Sequence, residues 1–397
     1  MGRRRTLMGL VLVMAMLGSA CAKKNTGASG TGGTSKPEVT IAFMGDLTGA
    51  NASLEIGPKN AAQLLIEQTN AKGDLPVKLV FDPEDTQGKE DQAVSVANKL
   101  IGNDKIVGVV GPGFTGESGT AGPVLEQGKF PRITPSATNP SLAQRGWTYW
   151  FRAVANDDVQ GGLTPEVLLK YLKATKVFIA HDKSPYGQGI ASIVQAKLPA
   201  SARVAFEAAD PGKEDYGALV SKAVTSGADV FYWGGYEREA GLIVKQLKDR
   251  GFKGTFVGGD GSKGDNFLKG GGAAANGAIL TCPCLDPNAS DTAAAKTFVA
   301  DYKAKFGTPP TIYAAEGHDA ALITIEAIRK AGAPSGDMVA YRQKIKENVA
   351  QTPDLTGLAR SYKFEPNGEL AGTPGLYLYK VENGKYTLLG LVVDLIK

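Results

Sequence analysis

Cysteine and histidine are scarce in this chain. Its 397 residues include three cysteines and two histidines, and His181 and His318 stand far apart. No zinc cluster with the usual four-ligand spacing can be assembled from this inventory. Cys282 and Cys284 frame a Cys-Pro-Cys sequence. In an oxidising compartment they would close a small-ring disulfide, and otherwise they would remain two reduced, buried thiols.

Motifs of covalent catalysis are missing as well. Residues 116–120 read Gly-Glu-Ser-Gly-Thr and lack the last glycine of the Gly-x-Ser-x-Gly turn that presents a nucleophilic serine. His181 ends an apolar run, but the spacing suggests no serine or cysteine partner, so a structural role is expected. We therefore predict a protein that is not an enzyme and has neither cofactor nor metal.

A long apolar run is also absent. The run at 7–17 is too short to span a bilayer comfortably. It follows Arg3, Arg4 and Arg5 and precedes small residues up to Ala20, which is the pattern of a secretion signal. Residues 1–20 are therefore predicted to be a signal peptide.

Cys21 opens a segment, 21–36, that is rich in Gly, Ser and Thr and is predicted to be a flexible tether. Signal, cysteine and tether in this order resemble a bacterial lipoprotein, in which Cys21 would be acylated and would anchor the chain to the membrane. Gly18 stands where the lipoprotein motif usually has Leu. Cleavage after Ala20 without lipidation would instead give a soluble secreted or periplasmic form.

The basic excess of the chain is confined to this leader. The whole sequence has 44 Lys and Arg against 40 Asp and Glu, a net charge of +4. Six of the bases and none of the acids lie in 1–36, so 38 bases face 40 acids in the remainder. A slightly acidic folded part gives no support to a nucleic-acid partner.

Short apolar runs alternate with helical segments from Val39 onward, as in an α/β protein with buried parallel strands and crossover helices. The alternation restarts after a loop at 156–158. The length beyond the tether exceeds what one core usually organises, so two domains are expected. The predicted helices are 58–71, 91–101, 187–198, 215–225, 237–251, 291–306, 313–331 and 337–349, followed by a hairpin around Asn383 and Gly384.

Gly111, Gly113 and Gly116 match the Gly-x-Gly-x-x-Gly pattern of dinucleotide sites. The pattern follows the third predicted strand instead of the first, and no acid ends a later strand where a ribose would bind. A nucleotide cofactor is therefore not expected. A glycine-rich loop that opens a helix still offers free N–H groups to an anion such as a carboxylate.

Polar side chains follow other predicted strands. Ser136 and Thr138 lie in a turn before a short helix that Asn139 would cap, and their hydroxyls serve either a ligand or the turn. Asp260 follows the run 255–259, where it would face a ligand crevice or stabilise a turn. Tyr186 and Tyr236, in equivalent strand-to-helix turns, would close over an apolar ligand or pack.

Seven segments in order resemble the bacterial periplasmic leucine/isoleucine/valine-binding protein family, the type I solute-binding proteins of ABC importers. They are 45–49, 70–73, 95–101, 136–146, 180–189, 232–239 and 313–320. The resemblance covers nearly the whole chain from Val39 on.

The resemblance implies a fold of two Rossmann-like lobes with parallel sheets, joined by three hinge strands. The first lobe would comprise 37–155 plus 283–360. The second lobe would comprise 156–282 plus 361–397.

The resemblance also implies how an amino acid would be bound. Thr115 stands where the family has a serine for the α-carboxylate. Ser136, Ala137 and Thr138 match the turn that contacts both carboxylate and ammonium. Asp260 matches the acid that pairs with the ammonium, a glutamate in the family's leucine binder.

The implied side-chain pocket is altered. Tyr186 and Tyr236 match the family's aromatic contacts from the second lobe, but Leu54 replaces a tyrosine, Phe114 replaces a cysteine and His318 replaces the tyrosine of Gly-Tyr-Asp-Ala.

These matches imply an extracytoplasmic lipoprotein that captures an amino acid, branched-chain or similar, by hinge closure. It would act as a monomer and deliver its ligand to an ABC permease with its ATPase subunits. The alternative is a sensor or receptor module of the same fold that binds an amide, urea or aromatic acid.

Overall fold

Residues 36–397 are the part of the chain that the computed structural model describes. The predicted signal peptide 1–20 and Cys21, with all but the last residue of the tether 21–36, lie outside it and remain predictions. Within 36–397 no helix is long and apolar enough to cross a membrane. The same residues hold no group of three or more side chains that could bind a metal ion.

Residues 38–152 form a parallel five-stranded sheet with three helices. In chain order these are β1 (Glu38–Gly45), α1 (Ser53–Lys72), β2 (Lys78–Asp85), α2 (Glu90–Ile101), β3 (Ile106–Val110), α3 (Thr115–Gln127), β4 (Arg132–Thr134) and β5 (Trp150–Arg152). The strands lie in the order β2-β1-β3-β4-β5. Every residue of β3, β4 and β5 is buried, because helices cover both faces of such a sheet.

Residues 157–282 repeat this pattern. In chain order the elements are α4 (Asp157–Glu166), β6 (Val177–His181), α5 (Pro185–Lys197), β7 (Arg203–Ala208), α6 (Gly217–Thr225), β8 (Val230–Gly234), α7 (Glu237–Asp249), β9 (Thr255–Gly258), α8 (Asp265–Gly271) and β10 (Ile279–Cys282). These strands are parallel, in the order β10-β9-β8-β6-β7. The predicted α/β class with two parallel sheets is confirmed.

The next segment returns to the first sheet. Its elements are α9 (Ala293–Phe306), α10 (Ala314–Ala331), α11 (Met338–Ala350) and the two-residue strands β11 (Leu355–Thr356) and β12 (Ser361–Tyr362). Ile323 and Ile328 of α10 and Ile345 of α11 share a buried core with Ile41 of β1.

The residues that follow β12 also belong with the first sheet. Tyr362, Phe364 and Leu370 pack in that same core, and the Arg152 N–H of β5 donates to the Gly368 carbonyl at 3.0 Å. Residues 361–371 therefore pack with the first sheet, whereas the sequence predicts all of 361–397 in the second lobe. Apolar residues in a loop carry no sign of which core they enter.

The chain ends in the predicted hairpin, β13 (Tyr377–Glu382) and β14 (Lys385–Leu391), which adds two antiparallel strands beside β10. Asn383 and Gly384 at its tip both have positive φ, 52° and 70°, as a two-residue hairpin turn requires. The apolar run after Leu391 leaves the sheet and forms a short helix, α12 (Val392–Leu395).

The chain passes between the sheets three times: after β5, after β10 and before β13. At the second passage the structure joins Cys282 and Cys284 in a disulfide, with their Cα atoms 5.1 Å apart. Both cysteines are fully buried. Of the two alternatives that the sequence leaves open, the structure has the bonded one.

A buried ion pair ties β5 to the loop after β12. Arg152 is fully buried, and its guanidinium donates to both carboxylate oxygens of Glu369, at 2.6 and 3.0 Å. It also donates to the Ala137 and Asn139 carbonyls, at 2.8 and 3.1 Å. One side chain thereby fixes the turn that carries Ser136.

We expect Arg152→Met to lower the free energy of unfolding by about 3 kcal/mol, because it leaves a carboxylate and two carbonyls without their buried donor. Urea unfolding measures this loss. The matched control is Lys78→Met, which breaks the exposed pair with Glu38 and should cost less than about 1 kcal/mol. Equal losses in the two variants would contradict the structural role of Arg152.

Candidate functional site

The order of strands in both sheets defines where a ligand can bind. Strand order reverses between β1 and β3 in the first sheet and between β6 and β8 in the second. Loops that leave such neighbouring strands in opposite directions open a crevice at their carboxyl ends. A small cavity lies there, and its lining residues are Leu54, Glu55, Gly113, Phe114, Thr115, Ser136, Tyr186, Tyr236, Asp260, Gly261 and Tyr313.

Most of the predicted site residues meet at this cavity. Those lining it are Leu54, Phe114, Thr115, Ser136, Tyr186, Tyr236 and Asp260. Ala137 and Thr138 are buried but are not among the lining residues. The open volume between these side chains is only about 10 Å³, roughly enough for one water molecule, so a solute can enter only when the lining side chains move apart.

Two aromatic contacts form one wall. The rings of Phe114 and Tyr236 have centroids 4.8 Å apart, and those of Tyr186 and Tyr236 are 5.2 Å apart. Phe114 comes from the loop after β3, whereas both tyrosines come from the second sheet. The wall therefore joins the two halves of the molecule and offers an apolar surface to a ligand.

Asp260 provides a charged group in the same cavity as the aromatic wall. It is 3% exposed, and its two carboxylate oxygens accept hydrogen bonds from Tyr186 Oη at 2.8 Å and Tyr313 Oη at 2.5 Å. Burial raises the pKa of Asp260 above its ordinary value, against the effect of these hydrogen bonds. Each oxygen retains a lone pair for a donor from the ligand.

A second acid stands next to Asp260. Asp157, the first residue of α4, is fully buried, and neither of its carboxylate oxygens has a hydrogen-bond partner. Burial, and then the charge of Asp260, raises the pKa of Asp157 well above its usual range. This side of the cavity therefore has more carboxylate oxygens than hydrogen-bond donors to satisfy them.

The first turn of α1 brings another acid to the cavity wall, against the glycine-rich loop. Glu55 is fully buried, and its Oε1 lies 2.8 Å from Ser136 Oγ, which is also 2.9 Å from the Gly113 carbonyl. Position 113 must be glycine, because a Cβ there would lie 2.1 Å from the Glu55 carboxyl. Burial, followed by the charge of Glu117, raises the pKa of Glu55 well above its usual range.

The N-terminus of α3, predicted as an anion site, faces carboxyl groups of the chain itself. Glu117 in its first turn accepts from Thr86 Oγ1 at 2.5 Å and from the Phe114 N–H at 3.4 Å. Burial raises the pKa of Glu117 to about 8. The chain therefore already supplies the acid that this helix end would otherwise take from solution.

Sequence reasoning missed Glu55, Asp157 and Tyr313 as members of the site. Glu55 was missed because α1 was predicted to begin at Pro58, whereas it begins at Ser53 and carries Pro58 inside. The available signal was the adjacent Leu54, since two neighbours in the first turn of one helix both reach a cavity at its end. Tyr313 begins the late matching segment, but only its tertiary contact with Asp260 reveals its place.

A small cavity at the strand-order reversals of two α/β sheets defines a solute-binding protein of the type I periplasmic binding protein fold. The chain belongs to a periplasmic binding protein family: the family model described as "Periplasmic binding protein" matches residues 38–385. Such proteins are extracytoplasmic binding proteins and not enzymes, and the resemblance stated from the sequence is confirmed.

Relatives and solved structures agree with this membership. The Leu/Ile/Val-binding protein BraC3 of Rhizobium johnstonii is 33% identical over 351 residues, which span 88% of this chain and 93% of that protein. The leucine binding protein LivK of Thermotoga maritima has a TM-score of 0.81 at 26% identity, over 89% of this chain and 98% of that chain. LivJ of Streptococcus pneumoniae, solved with isoleucine, has a TM-score of 0.81 at 27% identity, over 89% and 99%.

The raised pKa of Glu117 makes folding pH-dependent. Because its folded pKa of about 8 lies above the ordinary 4.5, the folded state holds its proton more tightly than the unfolded chain. Stability from this group is therefore complete below about pH 4.5 and is lost as the pH rises towards 8.

We expect Glu117→Gln to remove this loss. The free energy of unfolding of the variant, relative to that of the wild type, should therefore increase as the pH rises from about 4.5 to 8. Urea unfolding at several pH values measures the difference between the two proteins. Glu347→Gln, at an exposed position of α11, is the control. A difference between Glu117→Gln and the wild type that stays constant with pH would refute the buried, protonated state of Glu117.

Proposed function

We propose that this protein captures an amino acid, branched-chain or similar, outside the cytoplasm and delivers it to an ABC permease with its ATPase subunits. The observation that carries the proposal is the buried Asp260 carboxylate beside an aromatic wall in a small cavity. A carboxylate there suits an ammonium group, and the wall suits an apolar side chain. The names of the relatives, which bind leucine, isoleucine and valine, support it.

The proposed capture uses two lobes, 37–155 with 283–371 and 156–282 with 372–397. The last boundary is moved from 360 to 371 because of the packing of Tyr362, Phe364 and Leu370. Side chains reach across the cavity mouth: Ser53 Oγ donates to the Glu237 carboxylate at 2.6 Å, and Asn139 Nδ2 donates to the Pro185 carbonyl at 2.8 Å.

Closure about the three passages between the sheets would then trap the ligand. A ligand that contacts Asp260 from one lobe and Thr115 or Ser136 from the other has those contacts together only in the closed state. Its differential affinity for that state shifts the population towards closure. A permease that recognises the closed lobes would thereby bind only the ligand-loaded form. The protein would act as a monomer.

Asp260→Ala should weaken binding of the amino acid by about thirtyfold or more, because loss of one partner of a buried charge pair costs about 2–5 kcal/mol. Titration calorimetry with leucine, isoleucine and valine measures this change. Asp249→Ala, at an exposed end of α7, is the matched control and should bind as the wild type does. Unchanged affinity in Asp260→Ala would show that this carboxylate does not hold the ammonium.

We also propose that an acylated Cys21 anchors the protein to the membrane. Cys21→Ser should move the protein from the membrane fraction to the soluble fraction and abolish labelling by a radioactive fatty acid, because serine cannot form the thioether. Lys24→Ala is the control and should remain membrane-bound. A wild-type protein found soluble and unlabelled would favour the simple secreted form.

A further inference from the structure

The carboxyl group of Glu55 occupies the place that the family resemblance reserves for the ligand's α-carboxylate. Its Oε1 lies 2.8 Å from Ser136 Oγ, the hydroxyl matched to that role. Its carbon and both oxygens lie within 2.2 Å of the point where a Cβ on Gly113 would be. A second carboxylate cannot enter the same space.

From this contact we infer that the cavity binds an amino compound that presents an N–H donor, not a carboxylate, to Glu55 and Ser136. The simplest such class is the α-amino amide, in which a carboxamide replaces the carboxylate of an amino acid. The inference deepens the proposed function and rests on it for the ammonium group at Asp260.

The charges around the cavity favour such a ligand. Its lining residues include two acids, Glu55 and Asp260, and no Lys, Arg or His. Burial, and then the charge of Glu117, raises the pKa of Glu55, and the charges of Asp157 and Asp260 likewise oppose each other's ionisation. A zwitterion would bring a carboxylate into a low-dielectric space that already holds carboxyl groups and no cation, which is unfavourable.

Unpartnered polar atoms at the same end show what the ligand must supply. Glu55 Oε2 and Thr115 Oγ1 have no hydrogen-bond partner, although both residues are at most 4% exposed and line the cavity. An amide N–H₂ can donate to Glu55 Oε2, while its carbonyl oxygen accepts from the Thr115 hydroxyl. Both groups would then be satisfied without a counter-charge.

The Ser136 contact fits the same arrangement. A hydroxyl has one proton, yet Ser136 Oγ is within hydrogen-bond distance of both Glu55 Oε1 and the Gly113 carbonyl. Both contacts are satisfied when a protonated Glu55 donates to Ser136 Oγ and Ser136 donates to Gly113. Burial raises the pKa of Glu55 in the direction that this requires.

The test compares leucine with leucinamide, which differ only at the group in question. Titration calorimetry on the mature wild-type protein near pH 7 should give a dissociation constant at least tenfold lower for leucinamide. Glu55→Ala should reverse this order, because it empties the space beside Ser136 for a carboxylate and removes the acceptor for the amide. Glu67→Ala, at an exposed position of the same helix, should keep the wild-type order.

Glu55→Gln provides a variant of the same shape, in case Glu55→Ala does not fold. It should keep the preference for leucinamide within about threefold, since its side-chain carbonyl accepts and its N–H donates as the protonated Glu55 does. Wild-type protein that binds leucine as tightly as leucinamide would overturn the inference but leave the proposed function standing. Failure of the wild-type protein to bind either compound would overturn both.

Discussion

The hydrogen bonds to Asp260 are the interaction on which the rest of the site depends. Asp260 lies two residues after β9 of the second sheet, and its carboxylate accepts from Tyr186 of the same half and from Tyr313, which immediately precedes α10 on the first sheet. One buried acid is thus held from both sides of the cavity. Removing water from this carboxylate is costly, and two tyrosine hydroxyls compensate for it only while both halves are in contact.

Two glutamates on helices of the first sheet also bear the cost of burying a carboxyl group away from water. Glu55 and Glu117 are buried near the N-terminus of α3, with hydroxyls from Ser136 and Thr86 as their partners. Neither has a buried cation beside it, so their protonated forms are favoured. The fold accepts this cost at the carboxyl edge of β3, where a glycine-rich loop brings backbone and carboxyl groups close together. Burying these acids lowers the stability of the fold but gives the cavity an acidic wall of defined shape.

The fold could be predicted largely from the sequence, because buried strands and their crossover helices leave a periodic apolar pattern that depends only on local order. The candidate site residues could be predicted where they lie in a loop or helix start soon after a strand, as Asp260 and Thr115 do. Glu55 escaped prediction because Pro58 suggested a later helix start, and the tertiary packing of α1 determines where that helix begins. The 361–371 segment escaped because its partners, such as Arg152, are distant in sequence.

The disulfide between Cys282 and Cys284 makes the three passages between the sheets unequal. A ring that closes over a single intervening residue removes most of the backbone torsional freedom from the end of β10 to Cys284. The Cys284 carbonyl accepts from Tyr379 of β13, while the next N–H, of Leu285, donates to Glu316 of α10. At this passage, therefore, one residue is hydrogen-bonded to the second sheet and the next residue to a helix of the first sheet. This passage is therefore the stiffest of the three connections between the two sheets.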